Sequence, residues 1–386
     1  MIQNALDRYS ANKLAALDRR GLRRALRNQT RTGPVSLRID GRELIDFSSN
    51  DYLGLASDPA SIAANIEATQ QAGTGAGAAR LVAGNHRGLK DLEQRLAALK
   101  GTEAALVFGS GYLANIGSIP VFAGKHDVIV MDELAHACLR AGAQLSGAKL
   151  LTFEHNNTDH LESLLAQQRR ASRHCLILTE GVFSMDGDIA PLPDFTRLAD
   201  KYEAWLMTDD AHGMGVIGGG RGSTFAFSEP VGVAIQMGTL SKAVGAYGGY
   251  VCASKPVIEL LRSRAASFVY STALPPGVTA SAITAIDRIA HDKALVNRPL
   301  ALARRFCERL GLPPAQSAIV PLIMGGVAAT SKASRALQDA GYFVAAIRPP
   351  TVPSGTARLR ITFSAAHSQL QVDELAEAVR ELDLAS

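Results

Sequence analysis

Between residues 104 and 253 the chain repeats one pattern, a short apolar run followed by a longer stretch with helical periodicity. The runs are Ala104–Phe108, Val128–Met131, Leu150–Phe153, Cys175–Thr179, Trp205–Thr208, Val233–Met237 and Tyr250–Ala253. Runs so short and so apolar read as strands buried on both faces, and strands that alternate with helices build a mostly parallel sheet. The expected fold class is therefore α/β. Open sheets of this kind collect functional residues just past the carboxyl ends of their strands. Polar residues that a plain turn does not need stand there: Glu180 in LTEGVFSMDGD, Asp209 and His212 in LMTDDAHG, and Thr239 and Lys242 in MGTLSKAVGAYGGY.

The flanks follow other patterns. Residues 1–30 read as an amphipathic, Arg-rich helix, and Ser36 to Phe47 alternates around Asp40-Gly41, a hairpin signal. After Pro275-Pro276 a long helical stretch precedes Gln316–Met324, a helix through Ala340, extended segments at Tyr342–Ile347 and Ala357–Phe363, and a last helix. A chain of 386 residues accommodates two or three domains. The expected division is an N-terminal helix and hairpin over 1–48, a large domain over 49–276 and a small α+β domain over 277–386.

Charge and cysteine usage exclude several functions. The net charge of +4, from 40 basic and 36 acidic residues, gives no reason to invoke nucleic acid. No apolar run is long enough to span a bilayer, so no membrane partner is expected. The four cysteines form no CxxC pair, and the nine histidines show no HExxH pattern, so no metal is expected. The opening MIQNALDRYSANK lacks the apolar stretch of a signal peptide, and a reducing cytoplasm is the expected compartment.

Taken singly, each polar strand end has an ordinary explanation: an Asp caps a helix, a His sits satisfied in a core, a Lys is solvated. Their combination is more demanding. An Asp, a His three residues on, and a Lys after the next strand supply what pyridoxal phosphate requires. The carboxylate pairs with the pyridine nitrogen, a donor holds the phenolic oxygen, and the amine forms the Schiff base. The phosphate would need a helix start, and Phe108-Gly109-Ser110-Gly111-Tyr112 follows a strand and opens a helix. A second glycine-rich stretch, Gly73 to Gly77, follows a helix rather than a strand, which rules out a dinucleotide fingerprint.

These segments also carry a family resemblance. FSSNDYLGL, TEGVFSMDGD, DDAHGMGVIG, TLSKAVGAYGG, YSTALPP and PPTVPSGTARLRITFSAAH, in this order from about Phe47 to His367, resemble the α-oxoamine synthases. These are pyridoxal-phosphate enzymes of the aspartate-aminotransferase fold, fold type I. The resemblance implies that Lys242 is the Schiff-base lysine and the base at the amino-acid Cα. Asp209 would pair with the pyridine nitrogen, His212 would hold the phenolic oxygen, and His136 in ELAHACL would stack on the ring. Ser184 would support a cofactor oxygen, and Gly111, Tyr112 and Thr239 would surround the phosphate. Ser271 and Thr272 would reach the phosphate of the neighbouring subunit, which implies a homodimer. Arg360, with Asn50 nearby, would take the amino-acid carboxylate. Arg24 and Thr351 would line the acyl side.

Within the family, the run AIRPPTVPSGTARLR is similar to members that condense L-alanine with a pimeloyl thioester, carried on coenzyme A or on an acyl carrier protein. Ala79 and Leu81 stand where relatives with a short succinyl substrate carry Thr and Asn, and an apolar lining suits a longer chain. Leu89 replaces a histidine often found in the family. The residues themselves leave two choices open. Arg358 and Arg360 are two apart on an expected strand, face one way, and either could serve the substrate. Arg24 lies among Arg19, Arg20, Arg23 and Arg27, which is equally a solvated helix face; Arg348 is the other cation near the acyl end. Rival functions are another α-oxoamine synthase, an aminotransferase and a non-catalytic family member, the last disfavoured by the presence of Lys242, Asp209, His212 and His136.

Overall fold

The structure is a computed structural model that describes residues 4–20, 22–24 and 26–382. Helix α1 (Ala5–Arg19) starts on Asn4, whose side chain accepts from the Asp7 N–H at 2.9 Å while Asp7 accepts from the Asn4 N–H. None of its residues is buried, so within the chain the helix rests on its cap rather than on packing. The helix expected over 1–30 is shorter than its charge pattern suggests. Residues 1–3, 21 and 25 of that segment lie outside the described residues, and a strand, β1 (Gln29–Gly33), already begins at its far end. Strand β1 pairs antiparallel with β2 (Ser36–Ile39), and β2 with β3 (Arg42–Asp46). The hairpin expected at Asp40-Gly41 forms, with both residues at positive φ, 51° and 80°, as a two-residue turn of matching twist requires.

Two helices, α2 (Pro59–Ala72) and α3 (Arg87–Lys100), lead into the alternating region. It runs β4 (Ala104–Phe108), α4 (Gly111–Phe122), β5 (Val128–Asp132), α5 (Ala137–Ser146), β6 (Lys149–Phe153), α6 (Thr158–Gln168), β7 (Cys175–Glu180), α7 (Leu192–Lys201), β8 (Trp205–Asp209), β9 (Ile235–Thr239) and β10 (Gly249–Ala253). These seven strands form one sheet in the order β4-β10-β9-β8-β7-β5-β6. All neighbours are parallel except β10, which is antiparallel to both β4 and β9. Side chains alternate across it. Ile129, Met131, Leu176 and Leu178 pack with α4 and α5, whereas Val128, Val130, Cys175 and Ile177 pack with α6 and α7. Each such fully buried aliphatic side chain contributes roughly 1.5–3 kcal/mol.

Beyond the sheet come α8 (Lys255–Arg264), α9 (Ala266–Val269), α10 (Pro276–His291), α11 (Lys293–Leu310), β11 (Ile319–Gly325), α12 (Val327–Asp339), β12 (Tyr342–Phe343), β13 (Ala345–Ile347), β14 (Ala357–Thr362) and α13 (Gln369–Arg380). Strands β11, β14 and β13 make a three-stranded antiparallel sheet covered by α11 and α13. Strand β12 pairs with β3, which ties the N-terminal segment to this C-terminal part. Helix α10 packs on α2 and α3, and its Ala282, Ala285, Ile286 and Ile289 join the core of the large sheet. The boundary expected after residue 276 thus separates α10 from the helices it packs on. Pro276 is the first residue of this helix.

Candidate active site

Three polar strand ends lie side by side. Glu180 closes β7, Asp209 closes β8 and Thr239 closes β9, and the register pairs Glu180 with Asp209. Both carboxylates are buried. Asp209 Oδ2 accepts from Asn115 Nδ2 at 2.7 Å and Oδ1 accepts from the Ala211 N–H at 3.0 Å. Glu180 Oε2 accepts from the Ser184 N–H at 3.0 Å, while its Oε1 has no partner. Burial, with Asp209 adding repulsion, pushes Glu180 up to about 8. Lys242 lies just past β9, and burial pushes its amine down despite the pull of Asp209 and Glu180. A lysine amine lowered in this way becomes available as nucleophile and base.

His212 is buried in the turn after β8, with Nδ1 2.6 Å from the Tyr52 hydroxyl. Burial holds it well below the usual histidine range, and Lys242 and Arg360 add to this, so the ring is neutral. His136 is the N-cap of α5, where its Nδ1 accepts from the Cys138 N–H at 3.2 Å. Its pKa is lowered, chiefly by loss of solvent.

The two arginines of β14 are both buried, and tertiary contacts separate their tasks. Arg358 pairs with Asp186 and donates to the Met185 carbonyl at 3.3 Å. Within the chain it ties β14 to the turn after β7. Arg360 donates to the Ser184 carbonyl at 2.6 Å, to Asn50 Oδ1 at 3.1 Å and to the Tyr52 hydroxyl at 3.3 Å. Arg360 is therefore the arginine beside His212 and Lys242.

The glycine-rich turn is the start of α4, as expected. Ser110 caps it by accepting from the Leu113 N–H at 3.1 Å, which leaves the N–H groups of Gly111 and Tyr112 at the open end of the helix. A Cβ at Gly111 would stand 3.3 Å from Thr239 Cβ, and one at Gly249 would stand 2.5 Å from the Gly111 nitrogen. Only glycines allow β10 and the Thr239 side chain to approach this helix start so closely.

A cavity of about 680 Å³ opens beside the cluster, lined in part by Arg24, His136, Arg140, Ser184, Asp186 and Thr351. It unites four of the sequence-predicted residues from four separate chain segments. Ala79 and Leu81 do not share its wall within one chain. Ala79 bridges to Thr272, and Leu81 is exposed. Ser271 and Thr272 line a separate cleft with Arg80, Leu89 and Gly109. Sequence patterns missed Tyr52, Asn115 and Arg140. Tyr52 sits in the quoted FSSNDYLGL and Asn115 in the helix that the glycine-rich turn opens, but nothing local shows which buried carboxylate or imidazole they touch. Arg140 reads as an ordinary polar position on α5.

The fold and this site define a class. A model described as aminotransferase class I and II matches residues 42–379, and the chain belongs to that family. It is 56% identical to the 8-amino-7-oxononanoate synthase of Maricaulis maris (strain MCS10) over 98% of this chain and 96% of that one. It is likewise 56% identical to the enzyme of the same name from Beijerinckia indica subsp. indica, covering 98% of both chains. Among solved structures, a serine palmitoyltransferase from S. paucimobilis with bound PLP superposes with a TM-score of 0.90 at 30% identity, covering 98% of each chain. The α/β class expected from the strand pattern, and the fold type I architecture that the resemblance implies, are thus the ones observed. Among the described residues no helix is long and apolar enough to cross a membrane, and all four cysteines are free and buried.

Proposed function

We propose that the protein catalyses the decarboxylative condensation of L-alanine with a pimeloyl thioester, giving 8-amino-7-oxononanoate, carbon dioxide and free thiol, a step of biotin synthesis. The observation that carries this reading is that Lys242, just past β9, lies near the buried carboxylates of Asp209 and Glu180, beside a cavity that Arg24 and Arg140 line. Identity of 56% to synthases of that product over nearly the whole chain supports it.

The cofactor is pyridoxal phosphate, and the donor set fits it. The unpartnered Glu180 Oε1 and Asn115 Oδ1 are buried polar atoms next to Lys242 and Asp209, and a capped helix start with open N–H groups stands beside Thr239. When bound, the cofactor supplies an electron-withdrawing ring that stabilises negative charge at the amino-acid Cα. Lys242 Nζ would hold it covalently and serve as the base that takes the Cα proton. Asp209, aimed by Asn115 and the Ala211 N–H, would keep the ring nitrogen protonated. Neutral His212 would donate to the phenolic oxygen, His136 would cover one face of the ring, and Ser184 would support an oxygen. Gly111 and Tyr112 would bind the phosphate beside Thr239. Arg360 with Asn50 would hold the alanine carboxylate. Arg24 and Thr351 would line the acyl side, and Arg140 joins them there as a second cation. Overall, the Cα–carboxylate bond of alanine and the C–S bond of the thioester break, and a Cα–acyl bond forms.

The same reading makes the protein a cytoplasmic homodimer in which Ser271 and Thr272 complete the neighbouring phosphate site. Thiol release with L-alanine, glycine and L-serine, each crossed with pimeloyl, acetyl, succinyl and palmitoyl thioesters, tests the assignment. The alanine and pimeloyl pair is expected to lead. Serine with palmitoyl leading would move the protein to the other branch of its relatives.

A further inference from the structure

His155 follows β6 and has none of the roles above. Its ring is bonded on both sides: Nδ1 lies 3.1 Å from Asp132 Oδ1 and Nε2 lies 2.8 Å from Asp188 Oδ2. Carboxylate oxygens only accept, and a neutral imidazole has one N–H, so both contacts are hydrogen bonds only when the ring is an imidazolium. Phe183 stands edge-on, 4.3 Å between ring centroids. Asn156 repeats the link, donating its N–H to Asp132 Oδ2 at 2.9 Å and its side-chain amide to Asp188 Oδ2 at 2.8 Å. Glu133 Oε1 accepts from the His155 N–H at 3.1 Å, and the neighbouring Glu154 faces His160. The charged groups facing this histidine are therefore Asp132 from the end of β5, Glu133 beyond it and Asp188 from the turn after β7. Burial opposes a charge here, but the hydrogen bonds to Asp132 and Asp188 outweigh it and push the ring up to about 10.

The two carboxylates root two walls of the cavity. Asp132 precedes the segment Glu133 to His136, and Asp188 closes the turn that carries Ser184, Met185 and Asp186. We propose that His155, held as an imidazolium between Asp132 and Asp188, is a positioning residue that fixes the spacing of these two walls and so the fit of the acyl substrate. The proposal rests on the assignment of this cavity to the acyl group.

The test has two arms on the full-length holoenzyme. In the first, NMR of the histidine rings should show His155 with both ring nitrogens protonated at about pH 8, well above the ordinary histidine range of about 6.5. Asp188→Asn should move its titration to lower pH. In the second, His155→Gln should raise KM for the pimeloyl thioester, on the order of tenfold to a hundredfold for a displaced wall, and by clearly more than it raises KM for L-alanine, whose arginine, Arg360, bonds the Ser184 carbonyl of one wall. A singly protonated ring at that pH overturns the proposal, and so does an equal rise in both KM values. Should His155→Gln not fold, Asp188→Asn carries both readouts. Absence of thiol release from the pimeloyl thioester in the unmodified protein would count against the function, not the clamp, which the ring titration decides independently.

Discussion

Asp209 and Asp210 are chain neighbours, both buried and each near a lysine, yet they do opposite work. Asp210 is saturated. Its Oδ2 accepts from Lys100 Nζ at 2.7 Å, both its oxygens lie 3.1 Å from the Ser223 N–H, and Lys100 also donates to the Arg221 carbonyl at 2.6 Å. Both side chains of that pair are wholly shielded from solvent. Around Asp209 the groups are left open. Glu180 Oε1 and Asn115 Oδ1 have no partner, and among the described residues no carboxylate comes within ion-pair distance of Lys242. A buried ion pair tied to Arg221 and Ser223 holds the β8 turn in place. Buried groups with open valences carry a cost that a bound molecule can offset.

Five substitutions would break or sharpen this contrast. The largest effect is expected from Lys242→Ala, which removes both the cofactor anchor and the Cα base. Loss of the base alone costs on the order of 10²–10⁴ in rate, so thiol release should fall to background while the melting temperature changes little. Turnover surviving in that variant would show that another amine does the work. Next comes Lys100→Ala, which leaves Asp210 as an unpaired buried charge. Denaturant titration should show a loss of about 3–5 kcal/mol, with activity per folded molecule retained. If activity fell and stability did not, the two lysines would not differ as described.

A smaller effect is expected from Arg360→Gln. Losing a charge-assisted hydrogen bond to the alanine carboxylate costs about 1.5–3 kcal/mol, read as a higher KM for L-alanine with the thioester KM held. An equal change for Arg358→Gln would erase the distinction between the two arginines. The smallest effect concerns Glu180. Its folded pKa, about 8, lies above the ordinary carboxylate value, so the folded protein holds this proton more tightly than the unfolded chain. Its contribution is fully present below the unfolded pKa and is lost as pH rises through about 8. Glu180→Gln should flatten the decline of stability with pH over this window in chemical denaturation; an unchanged slope would mean that Glu180 does not titrate there.

Much of this site could be read before folding because its parts sit in local patterns. Strands buried on both faces are legible as apolar runs, and the residues that close β7, β8 and β9 are where an open α/β sheet exposes polar groups. The N-terminal charge pattern suggested more helix than forms, since periodicity without burial gives a helix nothing to pack against. Pro275-Pro276 marks the start of α10, because the missing N–H of proline costs nothing in a first turn.

By itself the sequence determined the fold class, the glycine-rich helix start and the set Glu180, Asp209, His212, Thr239 and Lys242. All of these depend on residue type within a few positions of a strand end. Only the tertiary structure decided which of two equivalent arginines meets Asn50 and Tyr52, which of two adjacent aspartates takes Lys100, and which segments wall the cavity with Arg24, Arg140 and Thr351. Partners as far apart as Asn50 and Arg360 meet only when β14 is brought beside the segment from Phe47 to Tyr52, where the Thr362 N–H donates to the Phe47 carbonyl at 2.8 Å. The physical reason is that hydrogen bonds and desolvation act over a few ångströms in space, regardless of separation along the chain.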